Sequence, residues 1–261
     1  LENGHTIAQG YRDSKNPVDT AISSDYSIYY WMVNRFFNLP RYNIGLSAIV
    51  SGSGFMISRK LLNQMGGWHT RTITEDLEIS TLSVLNNHKV AYIPEAIIYD
   101  EQPLTFKLSW HQRLRWSTGI WQNITLYFPR LIRKLFKEHD WKAADQMLFY
   151  LAPVMQIVYT FSFILELILQ FLYIEHHLFP AHPIYRFFFL SIDISYILTT
   201  LLAGFTVVIE QKKNWGLLKG VLTYWIFISS WIAINLISLF KRTKNWTSIE
   251  HTRAIDLKQL K

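Results

Sequence analysis

Residues 146–209 read QMLFYLAPVMQIVYTFSFILELILQFLYIEHHLFPAHPIYRFFFLSIDISYILTTLLAGFTVVI, and only Glu166, Glu175, Arg186 and Asp193 among them are charged. The 145 residues before this stretch carry 29 Asp, Glu, Lys and Arg, and the residues after it carry twelve. A charge is costly in hydrocarbon, so a stretch this poor in charge marks a membrane domain that follows a polar one. Two apolar runs lie within it, at about 147–174 and 184–209, and a third follows at 217–240. Each has the roughly 20 residues that a helix needs to cross a bilayer.

The loops between the runs set the expected orientation. The segment Glu175–Pro183 has no Lys or Arg, and its His176, His177 and His182 read as a short outer loop rather than a metal cluster. Gln211-Lys212-Lys213-Asn214 is basic, as is the segment 130–142. The positive-inside rule places the basic segments in the cytoplasm and the 175–183 loop outside. A full crossing by 217–240 would leave Lys241-Arg242-Thr243-Lys244 outside, so an interfacial or re-entrant course is expected there. The chain reads as a multi-pass protein of the plasma membrane, with its polar domain cytoplasmic and membrane lipids as partners.

Composition narrows the classes. Half of the 261 residues are apolar and 17% are charged, which excludes a disordered chain. Aromatics reach 16%, with ten Trp, a content that suits a membrane interface or a sugar site. There is no Cys, so disulfide scaffolds, Cys-ligated zinc, iron–sulfur clusters and Cys nucleophiles are excluded. The net charge of +7 is concentrated beside the apolar runs, and no nucleic-acid partner is expected.

Within the polar half, residues 1–20 read as polar chain with turns at Gly10 and Asn16-Pro17. Residues 21–38 read as a helix that stops before Pro40. Strands are expected at Ile44–Ile49 and Phe55–Ser58, on either side of Ser51-Gly52-Ser53-Gly54, whose glycines allow close ligand approach. A short helix from Lys60 to Met65 closes at Gly66-Gly67, with Trp68 packed behind it. Thr74 is a candidate N-cap for a helix to Leu85, and short strands are expected on both sides of Pro94. Strand, helix, strand in this order indicates an α/β domain. Residues 104–123 pattern as an amphipathic helix. A second such segment starts at Pro129, where basic residues beside Leu131, Leu135 and Phe136 fit an anionic membrane face. The expected division is 1–103, 104–145, 146–240 and a basic tail at 241–261.

Two constellations can carry chemistry. In Thr74-Glu75-Asp76, a carboxylate at a helix start can take a proton from a hydroxyl if it faces a cleft; the same residues also suit an ordinary capped helix with acids complementing the dipole. In Gln112-Arg113-Leu114-Arg115-Trp116, the arginines can bind phosphate oxygens and the indole can stack on a sugar face. An interfacial helix with snorkelling arginines and an anchoring Trp accounts for the motif equally well.

Taken together, in this order and 36 residues apart, with Ser51-Gly52-Ser53-Gly54 upstream and apolar runs downstream, the two motifs resemble those of the processive family-2 glycosyltransferases. That group includes the hyaluronan, cellulose, chitin-oligosaccharide and poly-N-acetylglucosamine synthases. The resemblance implies a GT-A-type α/β domain, here its C-terminal part, followed by an α-helical membrane domain. It implies that Asp76 is the general base, supported by Glu75. Gln112, Arg113 and Arg115 would border the nucleotide diphosphate, and Trp116 would be the acceptor platform. The Gly52-Ser53-Gly54 turn would lie near the acceptor. Trp246, Thr252 and Arg253 look like a loose version of a gate over the nucleotide; a basic tail on the membrane surface is the plainer reading. The implied reaction moves a sugar, hexosyl or N-acetylhexosaminyl, from a UDP-sugar to a growing β-linked polysaccharide with inversion. A single-addition enzyme acting on a lipid acceptor and a non-enzymatic membrane transport or structural protein are the alternatives. Trp116 argues against the first, and Asp76 against the second.

The family also holds Mg²⁺ or Mn²⁺ on an Asp-x-Asp, and residues 1–261 contain none. The resemblance therefore reads this chain as a C-terminal portion, with the metal ligands upstream. It predicts an Asp-x-Asp in the coding sequence before Leu1, because a diphosphate leaving group needs its charge neutralised. Sequencing that region tests the expectation. A start codon just before Leu1, with no partner subunit, would sink the enzymatic reading of this chain.

Overall fold

Ile7–Ser14 forms β1, the central strand of a three-stranded sheet, in a computed structural model that describes residues 4–176 and 182–240. The polar look of residues 1–20 concealed this strand, because Gln9 and Asp13 point their polar groups at buried partners rather than at water. β2, Phe55–Ile57, pairs antiparallel with β1 from Ile7↔Ile57 to Gln9↔Phe55. β3, Ala91–Asp100, pairs parallel on the other side, from Ala8↔Ala91 to Ser14↔Asp100. The register jumps from Gly10↔Ile93 to Tyr11↔Ile97. The two strands expected around Pro94 are thus one strand with a bulge, which is where a residue lacking an N–H is tolerated.

The expected strand at 44–49 does not form. Its pairing is limited to Ala48 N–H donating to the Val90 carbonyl at 3.0 Å, with Val90 N–H donating to Ser47 Oγ at 3.0 Å. Its apolar character reflects burial instead: Ala48 and Val50 join Ile7, Leu61, Ile79, Val90 and Tyr92 in one core cluster.

α1, Ala21–Met32, starts at a capping box between Thr20 and Ser23. It continues through a π-helical turn, Val33–Asn38, into α2, Leu39–Asn43. Pro40 does not stop the helix; it lies in the first turn of α2, where its missing N–H matters least. α3, Arg59–Gln64, is capped by Ser58, and α4, Glu75–Leu85, follows.

α5, Phe106–Glu138, is one helix of 33 residues with Pro129 inside it, not the two segments expected. α6 runs over Trp141–His176, α7 over His182–Ile209 and α8 over Leu218–Phe240. Among the described residues, Trp141–Leu169 and Trp215–Phe240 are long and apolar enough to cross a bilayer. α8 is helical throughout, so a turn inside 217–240 is ruled out. It packs against α1, α5, α6 and α7, and its Tyr224 and Phe227 share a core cluster with Tyr26, Ile28, Tyr30 and Trp31 of α1.

The turn between α7 and α8 is fastened to β1 and the α1 region by charged groups. Asp13 accepts from Trp31 Nε1 at 2.8 Å and from Lys212 Nζ at 2.6 Å. Glu210 accepts from the Tyr11 hydroxyl and from Arg35 Nε, each at 2.6 Å. These contacts join the turn directly to the strand and to the α1 region, so this turn and the sheet belong to one side of any bilayer. Single cysteines at exposed Lys213 and exposed Lys60 should therefore react with an impermeant thiol reagent from the same side, against a background free of native Cys. Labelling from opposite sides would refute this arrangement.

Candidate active site

β1 builds the first wall of the site through the loop Ser51-Gly52-Ser53-Gly54. Gln9 is fully buried; its Nε2 donates to the Ser53 carbonyl at 3.0 Å and its Oε1 accepts from Ser51 N–H at 3.0 Å. Arg12 lies 3.9 Å over the Tyr30 ring, donates to the Ser51 carbonyl and pairs with Asp100. Ser53 Oγ closes the circuit by donating to Asp100 at 2.7 Å. The loop can bend this way because Gly52 has φ +85°. A Cβ on Gly52 would stand 3.2 Å from Asp76 Oδ2, so the bare loop backbone faces that carboxylate directly.

The second wall is the segment before α4, held from below by Glu78. This buried carboxylate accepts from Arg71 N–H at 2.8 Å and Thr72 N–H at 2.7 Å, and from the Tyr127 hydroxyl. Ile73 N–H donates to Gln122 of α5 at 2.9 Å. Thr74 does not cap α4 with its side chain. Its hydroxyl accepts instead from Asn123 Nδ2 at 3.2 Å, packed over Gly119, where any Cβ would come within 2.2 Å of it. The Thr-Glu-Asp turn is therefore locked to α5, and Gly119 is required for that approach.

Asp76 is half-buried and Glu75 exposed. Asp76 Oδ1 accepts from Leu77 N–H at 2.8 Å, while Oδ2 is the oxygen toward Gly52. Burial raises the Asp76 pKa to about 6, and the neighbouring Glu75 charge adds to this; the Leu77 N–H and the Arg12 and Arg115 guanidiniums oppose it.

The third wall is α5. Gln112, Arg115 and Trp116 are half-buried. Two rings lie beside the Trp116 indole at shallow angles, Tyr29 at 6.5 Å and 25° and Trp231 at 6.2 Å and 22°. Asp76, Arg12 and Arg115 are close enough to influence one another, and Asp76 also acts on Tyr29. Asp76, Arg115 and the Gly52 loop thus lie in one neighbourhood, the candidate cleft, and Tyr29 links it to Trp116. Arg113 does not join them: it is fully buried, with Nη1 donating to the Phe227 carbonyl at 2.8 Å and to Ser230 Oγ at 2.7 Å, both on α8. The candidate gate residues Trp246, Thr252 and Arg253 and the loop residue His177 lie outside the described residues. Among the described residues, no group of three or more His, Asp or Glu could hold a metal ion.

Sequence reasoning missed Gln9, Arg12, Tyr29, Asp100 and Trp231. No local signal marked them: residues 7–14 show no apolar–polar alternation, and the partners of these side chains are distant in sequence.

A model of the family described as glycosyl transferase family group 2 matches residues 3–240. The probable glycosyltransferase YdaM of Bacillus subtilis is 36% identical over 73 residues, which is 28% of this chain and 17% of that protein. A beta-monoglucosyldiacylglycerol synthase of Synechocystis is 30% identical over 96 residues, 37% of this chain and 20% of the relative. A probable glucomannan 4-beta-mannosyltransferase 3 of Arabidopsis thaliana is 30% identical over 107 residues, 39% and 18% of the two chains. The chain spans a fifth or less of the length of each of these relatives.

The Asp76 environment has a consequence for stability. Its carboxyl binds a proton more readily in the fold than in the unfolded chain, so the folded state loses stability as pH rises from about 4 through about 6. Asp76→Asn removes that penalty and keeps the acceptor for Leu77 N–H. The variant should be more stable than the parent by on the order of 2 kcal/mol at pH 7.5, with the gain vanishing toward pH 4. Thermal unfolding of both proteins at the two pH values measures this; an Asn variant less stable at pH 7.5 contradicts it.

Proposed function

The chain belongs to glycosyl transferase family group 2, and on that footing we propose that it forms the acceptor side and the membrane part of an inverting transferase. The donor in this reading is a nucleotide sugar, a UDP-sugar, and the acceptor a growing β-linked polysaccharide at the cytoplasmic face of the plasma membrane. The observation that carries the reading is the placement of the Asp76 carboxylate: one oxygen held by Leu77 N–H, the other facing the bare Gly52 backbone, within reach of the Arg115 charge.

Each residue then has a chemical task. Asp76 Oδ2 takes the proton from the acceptor hydroxyl as its oxygen attacks the anomeric carbon. The bond from that carbon to the diphosphate breaks on the opposite face, and the electron pair leaves with the diphosphate. A base poised at about 6 is ionised at neutral pH and still basic enough to accept the proton. Glu75 helps to keep Asp76 basic through its charge. Arg115 faces the leaving diphosphate; Arg113 is turned to α8 and does not. Gln112 borders the diphosphate beside Arg115, the Ser51–Gly54 loop lies near the acceptor, and Trp116 offers the aromatic surface. The described residues offer no ligand group for the Mg²⁺ or Mn²⁺ that the resemblance implies, and no step here runs through a metal.

A lipid acceptor is the second reading. It is favoured by the likeness to a beta-monoglucosyldiacylglycerol synthase and by the two helices long and apolar enough to cross a bilayer. The aromatic continuity from Tyr29 through Trp116 to Trp231 favours the saccharide, because sugar faces stack on such rings.

In the full-length enzyme, Asp76→Asn should keep UDP affinity within about twofold and cost transfer about 10²-fold or more. The parental rate should fall about tenfold per pH unit below about 6. UDP-binding and product assays on membranes decide it; equal loss of UDP binding and turnover would make Asp76 structural, and a product of one sugar on lipid would select the second reading.

A further inference from the structure

Arg113 is the largest buried charge next to the cleft, and the chemistry above leaves it unused. The side chain has no exposure. Its guanidinium carbon is 4.3 Å from the centre of the Phe227 ring and 5.5 Å from that of Trp231. Nη1 is divided between the Phe227 carbonyl and Ser230 Oγ, and Ser230 Oγ itself donates to the same carbonyl at 2.7 Å. The guanidinium therefore grips one turn of α8 through backbone, hydroxyl and aromatic faces together.

The same turn of α8 carries Trp231, the ring that lies on Trp116. The seam continues one helical turn along. Ser117 donates to Asn235 Oδ1 at 2.5 Å and lies 2.7 Å from Ser238 Oγ, which accepts from Trp121 Nε1 at 3.0 Å. On the far side of Arg113, Asp25 of α1 accepts from Thr223 of α8 at 3.0 Å and acts electrostatically on Arg113. α1 also supplies Tyr29, the second ring against Trp116. The three helices that box the indole are thus the three that meet at Arg113.

We infer that Arg113 is a positioning residue: by fixing the register of α5 on α8, it holds Trp116 beside Trp231 and Tyr29 in the orientation that receives the acceptor. A hydrophobic side chain of similar size would fill the space, but it would leave the register at this turn to the Ser117–Asn235–Ser238 seam alone, because apolar contacts carry no direction whereas the two hydrogen bonds from Nη1 do. The inference rests on Trp116 being the acceptor platform, as proposed above.

The test uses the full-length protein in membranes, with 5-fluorotryptophan incorporated and the Trp116 signal identified by Trp116→Phe. Arg113→Met should move the fluorine resonances of both Trp116 and Trp231, leave UDP affinity within about twofold, and shorten the polymer recovered from expressing cells severalfold. Arg113→Lys should restore most of the product length, since an ammonium reaches one of the two acceptors. Arg113→Met combined with Trp116→Ala should be no worse than Trp116→Ala alone. An UDP affinity reduced tenfold or more by Arg113→Met would make Arg113 a diphosphate ligand, and an unmoved Trp116 resonance would show that it does not position the indole; either result overturns the inference. If Arg113→Met does not accumulate, Ser230→Ala removes part of the same grip and should show the same pattern at smaller amplitude, and its failure to do so counts against the inference equally. If Trp116→Ala leaves the product unchanged, the platform reading falls, while the fluorine shift still decides what Arg113 does.

Discussion

The amide of Gln9 is buried at the centre of the sheet, and both of its ends are satisfied by the backbone of the Ser51–Gly54 loop. An unpaired buried polar group costs about 1–3 kcal/mol, so loop and strand hold each other in place. Arg12, on the same strand, repeats the grip through the Ser51 carbonyl and Asp100. With the loop immobile, Gly52 presents bare backbone to Asp76. The carboxylate is fixed independently from the other side, where Glu78 gathers two backbone N–H groups ahead of α4 and Asn123 of α5 holds Thr74. The position of one carboxylate is thus determined by a strand, a loop and a helix that are far apart in sequence.

The same strand also ties the sheet to the long helices. Asp13 and Glu210 collect Trp31, Lys212, Tyr11 and Arg35, and Gly220 at the start of α8 packs directly on Ser24 of α1. These are directional contacts in a region otherwise held by apolar surface, and a hydrogen-bonded charge pair sets register where greasy contacts do not. The cleft is consequently shared by the α/β layer and the helices rather than carried by either alone. Tyr29 comes from α1, Trp116 from α5 and Trp231 from α8.

Sequence made the two motifs, their order and the three apolar runs legible, because each is local: a helix start with acids, a five-residue motif, runs of Leu, Ile and Phe. The departures all come from contacts between distant segments. β1 read as loop because half its polar side chains serve buried partners. The 44–49 segment read as a strand because burial of Ala48 and Val50 selects the same residue types that pairing does. Pro40, Pro94 and Pro129 each read as a break, and each sits where the chain continues: a first helical turn, a bulge and the interior of a long helix. Thr74 read as a cap because Thr before Glu-Asp is the common local solution; Asn123 and Gly119, some 45 residues on, give its hydroxyl another use.

Helical geometry explains why the two arginines of one short motif part company. Successive residues on an α-helix turn by about 100°, which sets Gln112, Arg115 and Trp116 within about 100° of one another. That arc is the one that faces the cleft. Arg113 lies about 160° from Arg115, beyond the edge of the arc that Trp116 defines, and so meets α8. A guanidinium there cannot reach solvent, and a smaller or apolar side chain would remove the hydrogen bonds that join α5 to Phe227 and Ser230 of α8. The motif therefore has two faces, one set toward the candidate site and one toward α8, and Trp116 stands on the boundary between them. Any shift of α5 along α8 is felt first at that indole, which is where a sugar-transferring site can least accept it, since reacting atoms misplaced by about 1 Å lose on the order of 10²-fold in rate.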